Sequence, residues 1–192
     1  MLFTLLAVLS ASAPSVAIQS DLACITMRTN ALPLATRQSP LDSLSFKVGN
    51  VSVKLCYGRP SSRGRTMIGG DAVPFGRLWR TGANEPTMIH STGALVIAGV
   101  AVPAGTYSLY TVPGPKTWQV IVNRSITQWG HESQYTAAVK AQEVGRGEVA
   151  SSALASPVET LTFRAEPGAS GATNLLLEWE KTRVTIPIAA GH

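Results

Sequence analysis

Residues 44–57 read L-S-F-K-V-G-N-V-S-V-K-L-C-Y, in which apolar and polar side chains alternate on both sides of Gly49-Asn50. Strict alternation is the pattern of a strand that buries one face. A two-residue connection that starts with glycine is a strong signal for a tight β-hairpin. This stretch therefore predicts two antiparallel strands, with Lys54 and Cys56 pointing away from the core.

The same pattern recurs along the chain and predicts an all-β fold. A second hairpin is predicted around Pro113-Gly114-Pro115, because strands rich in β-branched and aromatic residues flank this turn. Further strands are predicted at 87–91, 94–97, 143–151, 159–165 and 175–188. The apolar parity switches between Trp179 and Val184, which indicates a bulge or a bend. Residues 135–142 favour a short helix.

We therefore predict a single antiparallel β-sandwich, jelly-roll-like, over residues 40–188, with at most one short helix. A chain of 192 residues suffices for one such domain with a sizeable core. The residues expected to contribute to the core are Val53, Leu55, Ile89, Leu109, Val120, Ile121, Leu161, Leu177 and Ile186.

The first 17 residues are predicted to be an export signal. They carry no charged side chain, and an apolar run at 2–9 is followed by small residues that end in Ser15-Val16-Ala17. The run is too short for a transmembrane helix. We expect a periplasmic or secreted protein; the alternative is a membrane-anchored lipoprotein with its lipid on Cys24. Residues 18–39 show no periodicity and are predicted to be a flexible linker.

The chain has two cysteines, Cys24 and Cys56. They can pair in an oxidising compartment. A flexible segment around Cys24 nevertheless favours the simpler interpretation, in which Cys56 is a small side chain on a strand. Two cysteines are too few for a zinc knuckle or a disulfide framework.

The net charge of +5 favours anionic partners in general, such as envelope polymers, phosphates, carboxylates or nucleic acid. It does not choose among them. Nucleic-acid binding is the least favoured, because export separates the protein from that partner.

Residues 57–85 form an arginine-rich segment that reads Y-G-R-P-S-S-R-G-R-T-M-I-G-G-D-A-V-P-F-G-R-L-W-R-T-G-A-N-E. It holds five of the eleven arginines and six glycines, so neither one helix nor one strand can span it. Loops on a rigid β scaffold often carry binding or catalytic residues. The segment is therefore the predicted location of a functional site.

Four motifs in and after this segment carry a resemblance: Y-G-R-P at 57–60, V-P-F-G-R-L-W-R-T-G-A-N-E at 73–85, V-P-A-G-T-Y-S-L at 102–109 and Q-W-G at 128–130. The set resembles domain-of-unknown-function family 2911, whose members are mostly secreted bacterial domains. With E-V-G-R at 143–146 and P-V-E-T-L-T at 157–162, the resemblance covers roughly residues 39–188. It implies an exported β-rich fold and lends no activity, cofactor or substrate. Gly58 and Phe75 replace the more usual Ser and Tyr, so neither position offers a hydroxyl nucleophile.

Five side chains of the segment are the candidate ligand-binding residues: Arg59, Trp79, Arg80, Asn84 and Glu85. An arginine presents a fixed fork of donors suited to carboxylate, phosphate or sulfate. A tryptophan offers a flat face for a sugar ring, and Asn and Glu bind sugar hydroxyls. The alternative is structural: an Arg80–Glu85 ion pair fastens the loop, with Trp79 in the core and Arg59 on backbone carbonyls.

Other chemistry has little support in the sequence. The three histidines, His90, His131 and His192, show no metal-ligand spacing, so no metal site is predicted. No catalytic-triad signature occurs. No phosphate loop or dinucleotide fingerprint occurs either, so no cofactor is predicted.

Three classes of function compete on these observations. The first is a module that binds a small anionic or carbohydrate ligand of the cell envelope. The second is a hydrolase with Glu85 as acid/base; it is less favoured because the usual glycosidase pair needs two carboxylates. The third is a structural or assembly domain. A cleft lined by the candidate residues would favour the first two, and a flat surface the third.

Overall fold

The computed structural model describes residues 23–191. The predicted export signal at 1–17 lies outside the described residues. The described chain is all-β, as predicted, with nine strands and one turn of α-helix. The strands are β1 Leu41–Val48, β2 Val51–Gly58, β3 Thr87–Ser91, β4 Leu95–Ile97, β5 Val100–Val102, β6 Gly105–Val112, β7 Thr117–Asn123, β8 Glu143–Pro167 and β9 Thr173–Ala190. The helix is α1 Ala137–Lys140, and 3₁₀ turns lie at Leu34–Thr36, Glu132–Gln134 and Ala169–Gly171.

Both predicted hairpins are confirmed. Strands β1 and β2 pair along their whole length, and Val48 lies opposite Val51 next to the turn. Gly49 in this turn has φ 57°, a conformation that glycine adopts without a steric penalty. Strands β6 and β7 flank the Pro113-Gly114-Pro115 turn, with Val112 opposite Gln119. The short helix lies inside the predicted range.

All strand neighbours are antiparallel and form one sheet in the order β1-β2-β3-β6-β7-β8-β9-β4-β5. The sheet turns over along β8: residues 143–150 pair with β7, and residues 151–167 pair with β9. The sequence predicted two strands in this region. A single strand forms because it changes partner midway, with register shifts between Ala153 and Thr162.

The core lies between the two halves of this folded sheet. Eight of the nine predicted core residues belong to one buried cluster, together with Trp79, Trp118 and Trp179. Ile121 is the exception. It is fully buried, but it follows the core residue Val120 and so points to the opposite face of β7.

The predicted bulge in the last strand is present. Glu180 has φ 52°, and the register of β8 and β9 shifts on either side of its pairing with Val158. Trp179 and Val184 consequently both face the core. The carboxylate of Glu180 accepts hydrogen bonds from the backbone of Met67 and Ile68, so the bulge also holds the arginine-rich segment.

Two segments cover the face of the sheet opposite the core. Residues 23–38 are the first covering segment, and residues 124–142 are the second covering segment. Cys24 forms a disulfide with Cys56 of β2, which corrects the interpretation of Cys56 as an unpaired strand residue. The ring of Tyr135 packs edge-on against Tyr110 at 4.7 Å. These contacts join both segments to the sheet. The sequence of residues 18–39 has no periodic pattern that would have predicted such packing.

No helix among the described residues is long and apolar enough to cross a membrane.

Candidate functional site

Two of the motifs quoted above, V-P-F-G-R-L-W-R-T-G-A-N-E at 73–85 and Q-W-G at 128–130, contact each other. The backbone N–H of Gly130, in Q-W-G, donates to the carbonyl of Asn84 at 3.2 Å. A Cβ at residue 130 would lie 2.5 Å from Cδ of Arg80 and 2.9 Å from the carbonyl oxygen of Asn84. Only glycine leaves room for the Arg80 side chain to pass.

Gly58 also lies in a close contact between motifs. The N–H of Ala83 donates to the carbonyl of Gly58 at 3.2 Å, and a Cβ at residue 58 would overlap the carbonyl oxygen of Ala83. Glycine therefore fits this backbone, and a Ser at residue 58 would require the 81–85 turn to move.

Glu85 pairs with Arg37 and not with Arg80. Nη1 of Arg37 lies 2.7 Å from Oε2 of Glu85 and Nη2 lies 3.0 Å from Oε1. The N–H of Met27 also donates to Oε1. Glu85 is 4% exposed and Arg37 is 7% exposed. The hypothesised Arg80–Glu85 pair is thus wrong, because a cation from the first covering segment takes the place of Arg80.

Arg37 is the residue that sequence reasoning missed. Its guanidinium donates to the carbonyls of Met27 and Leu32 besides Glu85, so this one side chain organises residues 27–37. It lies in the stretch predicted to be a linker. The one available signal was a lone arginine in a segment with no other charge after Arg28.

Trp79 is a core residue. It is 4% exposed, its ring stacks on Trp179 at a centroid distance of 5.9 Å, and its Nε1 donates to the carbonyl of Gly82. The ring therefore offers no free face to a sugar.

Arg59 and Asn84 bind the protein's own backbone. Arg59 donates to the carbonyl of Leu161 at 3.1 Å and to the hydroxyl of Thr162 at 3.0 Å, and its Nη1 lies 3.5 Å from Asp42. Asn84 donates to the carbonyl of Ser39 at 2.9 Å. The five candidate residues therefore do not converge on one cavity.

Arg80 differs from the other four candidates. Its Nε is buried without a hydrogen-bond partner in the described part of the chain. Within residues 23–191 it takes part in none of the ion pairs. Burial lowers the pKa of Arg80, and the negative charge of Glu132 opposes that shift. A buried donor without an acceptor is costly, so the unpaired Nε of this half-buried side chain calls for an explanation.

A cleft of about 660 Å³ lies on the Glu132 side of Arg80, although Arg80 itself does not line it. Its lining consists of Asp71, Ala72, Pro74, Arg77, Leu78, Glu132 and Tyr135. Two of these residues connect it to Arg80: Glu132, whose charge acts on the guanidinium, and Tyr135, which packs against Tyr110. Tyr110 in turn also feels the charge of Arg80.

The wall formed by Tyr135 is held in place by hydrogen bonds. Its hydroxyl donates to Glu143 at 2.7 Å and accepts from Nδ2 of Asn123 at 3.2 Å. Burial and the hydrogen bond to Glu143 raise the pKa of Tyr135, so its hydroxyl stays protonated at neutral pH. The cleft thus combines a fixed aromatic ring, apolar atoms of Leu78 and Pro74, and charged groups of both signs at its rim.

The bonding of Glu85 and the placement of potential metal ligands limit what this arrangement can do chemically. Both oxygens of Glu85 are bonded to the chain itself. No group of three or more His, Cys, Asp or Glu side chains in the described part of the chain is arranged to hold a metal ion.

Comparison with known proteins agrees with the motifs. No match to this chain was found among curated proteins or among solved structures. A family model described as "Protein of unknown function (DUF2911)" matches residues 39–188. The match includes every motif contact described above except those made by the 23–38 segment. The chain therefore belongs to the DUF2911 family.

Proposed function

We propose that this protein binds a small anionic or carbohydrate ligand in the cleft beside Arg80, and that Arg80 recognises an acidic group of that ligand. The observation that carries the proposal is the buried Nε of the half-buried Arg80 side chain, which has no hydrogen-bond partner in residues 23–191. A carboxylate or phosphate placed there would satisfy the fork of donors that the protein leaves unused.

The cleft supports the same ligand class. Pockets for small ligands combine apolar surface with a few well-placed polar groups. Leu78 and the Tyr135 ring supply the apolar surface, and Arg77 and Glu132 supply polar groups at the rim. A ligand with an acidic group and several hydroxyls matches this distribution.

We also propose that the protein is exported. The disulfide between Cys24 and Cys56 supports this, since such bonds persist in oxidising compartments. The uncharged, apolar N-terminus supports it too. N-terminal sequencing of the protein from its host tests the idea: a mature chain that starts at residue 18 supports export, and an intact Met1 in the cytoplasm refutes it.

The geometry weighs against Glu85 as the acid/base of a hydrolase. A general acid or base must reach the proton that it transfers. Glu85 is 4% exposed, and Arg37 and Met27 occupy its oxygens. We assign Glu85 to holding the 81–85 turn against the first covering segment.

The test is a thermal-shift and calorimetric screen with acetate, inorganic phosphate, sulfate, glucuronate and galacturonate. We expect at least one of these anions to stabilise the protein. Arg80→Ala should abolish that binding and leave the melting temperature within a few degrees, because no internal pair is lost. Arg124→Ala, a change at an exposed arginine outside the cleft, is the matched control and should bind normally. Equal binding by Arg80→Ala and the unaltered protein would disprove the proposal.

A further inference from the structure

We propose that the natural ligand is an oligosaccharide of several sugar units that runs along residues 62–78, with its acidic unit at the Arg80 cleft. This inference rests on the proposed function for that one end only. The rest follows from the shape and chemistry of the groove that borders this loop, which we call the loop groove.

The loop groove consists of four clefts around residues 62–78, each of which shares lining residues with the next. The Arg80 cleft shares Asp71 and Ala72 with a cleft of about 500 Å³. That cleft shares Arg65 and Thr66 with one of about 490 Å³. The third shares Ile68, Lys181 and Thr182 with a cleft of about 160 Å³. Adjoining clefts that follow one loop suit an extended ligand better than a compact one.

Charges of both signs are mixed along the loop groove. The lining includes the cations Arg65, Lys181 and Arg77 and the carboxylates Glu159, Glu180, Asp71 and Glu132. A polyanion such as a nucleic acid would be attracted by a surface of one sign, and here it would meet carboxylates along its whole path. A sugar hydroxyl both donates and accepts hydrogen bonds, so a largely uncharged glycan can use groups of either sign.

Hydroxyl side chains add to this match. Ser62, Thr66 and Thr182 line the middle of the groove, and Ser151 and Ser152 line the small cleft at its far end. Pro157 and Val158 place apolar atoms among them. Sugar rings present apolar faces and hydroxylated edges, which correspond to such an alternation.

The walls of the groove are fixed before a ligand arrives. Glu159 accepts hydrogen bonds from the hydroxyl of Ser62 and the N–H of Arg63 at 2.7 Å, and these bonds lower the pKa of its carboxyl. Glu180 has φ 52°, a region that residues other than glycine seldom adopt. Strain of this kind concentrates at functional sites, and a preformed groove lowers the entropic cost of binding.

Phe75 is the exposed aromatic residue of the loop groove. It is 45% exposed and lines the small cleft with Lys181. Its ring contacts Gly69 so closely that a Cβ at residue 69 would lie 2.6 Å from Cε2 of the ring. An exposed aromatic ring in this position can stack on a terminal sugar.

The experiment uses the full mature chain and oligosaccharides of one to six units, in three series: galacturonate oligomers, cello-oligosaccharides and chito-oligosaccharides, the last two also with a terminal uronic acid. Affinities are measured by calorimetry. In at least one acid-containing series, we expect affinity to rise tenfold or more from one unit to four. Phe75→Ala and Lys181→Ala should remove most of that gain and leave the affinity for the single acidic unit unchanged.

Both altered residues are exposed, so both variants should fold, and their melting temperatures verify this. Lys47→Ala, at an exposed lysine of β1 that lines none of the four clefts, is the control and should behave as the unaltered protein. Affinity that is independent of length, or gains that survive both changes, would overturn the groove and leave the Arg80 site standing. Length-dependent binding that Arg80→Ala does not affect would overturn the proposed function alone. If the protein binds none of the sugars, or binds unstructured peptides instead, the proposal that the ligand is a glycan is wrong.

Discussion

The buried pair of Arg37 and Glu85 joins two parts of the chain that are 48 residues apart. Both are almost fully enclosed: counted for the side-chain atoms alone, the exposed fraction is 1% for Arg37 and 5% for Glu85. Removing one partner of such a pair leaves the other charge buried and uncompensated, which commonly costs 3–5 kcal/mol or thereabouts. Arg80 has no such partner in the described chain, so the two arginines should respond differently to the same change.

Arg37→Ala should lower the free energy of unfolding by about 3–5 kcal/mol, because the carboxylate of Glu85 loses its cation and the carbonyls of Met27 and Leu32 lose a donor. The measurement is urea denaturation followed by tryptophan fluorescence. Arg80→Ala serves as the matched change and should cost far less. A loss for Arg80→Ala that equals or exceeds the loss for Arg37→Ala would contradict this assignment of roles.

Candidate residues of the site were predicted from their chemical type, and only Arg80 retains an unused functional group. Trp79 was predicted either as a stacking face or as core, and its neighbours Trp118 and Trp179 decide for the core. The partner of Glu85 could not be predicted, because it comes from a segment without periodicity. A pairing between distant loops depends on the folded backbone and leaves no pattern in the local sequence.

At the scale of elements, the first covering segment has two attachments to the domain. The Arg37–Glu85 pair is one, and the Cys24–Cys56 disulfide is the other, with a sequence separation of 32 residues. A crosslink across a loop of this size restricts the unfolded chain and typically contributes about 2–4 kcal/mol.

Cys24→Ser should therefore reduce the free energy of unfolding by about 2–4 kcal/mol, measured by urea denaturation under non-reducing conditions. Treatment of the unaltered protein with a reductant should produce a loss of similar size, and the reductant should have no further effect on Cys24→Ser. Denaturation curves for the variant and the oxidised protein that coincide would show that the disulfide contributes nothing.

Alternation along the sequence predicted the hairpins β1–β2 and β6–β7 and the bulge near Glu180, because each depends on residues close in sequence. Two features escaped it. The three-residue strand β5 is too short to show a pattern. The continuous β8 was predicted as two strands, because residues 151–157 show no clear apolar alternation and the pairing with β9 is irregular there.

For the whole molecule, the boundary of the family match and the boundary of the folded unit differ. The match begins at residue 39, whereas Cys24 and Arg37 lie before it and contact the sheet and the 81–85 turn. Whole domains are stable by only about 5–15 kcal/mol. Losing both attachments would remove a large part of that margin.

A chain shortened to residues 39–192 should accordingly be unfolded or molten at 37 °C, whereas a chain of residues 18–192 should unfold cooperatively. Near-ultraviolet circular dichroism and a thermal scan distinguish the two. A shortened chain with a sharp transition within a few degrees of the longer chain would show that the 23–38 segment is dispensable.

The long strand β8 has a consequence for how quickly this protein reaches its native state. The first half of β8 pairs with β7, the strand that precedes it in the chain. The second half can pair only after β9 has been synthesised. The last strand must also return to β4, where Leu95 pairs with Ala190. Pairings between such distant residues form slowly, because the cost of closing the loop precedes any gain from the contact. Until the C-terminal strand is complete, the edges of β4 and β8 lack partners, and during that interval the chain is most exposed to aggregation.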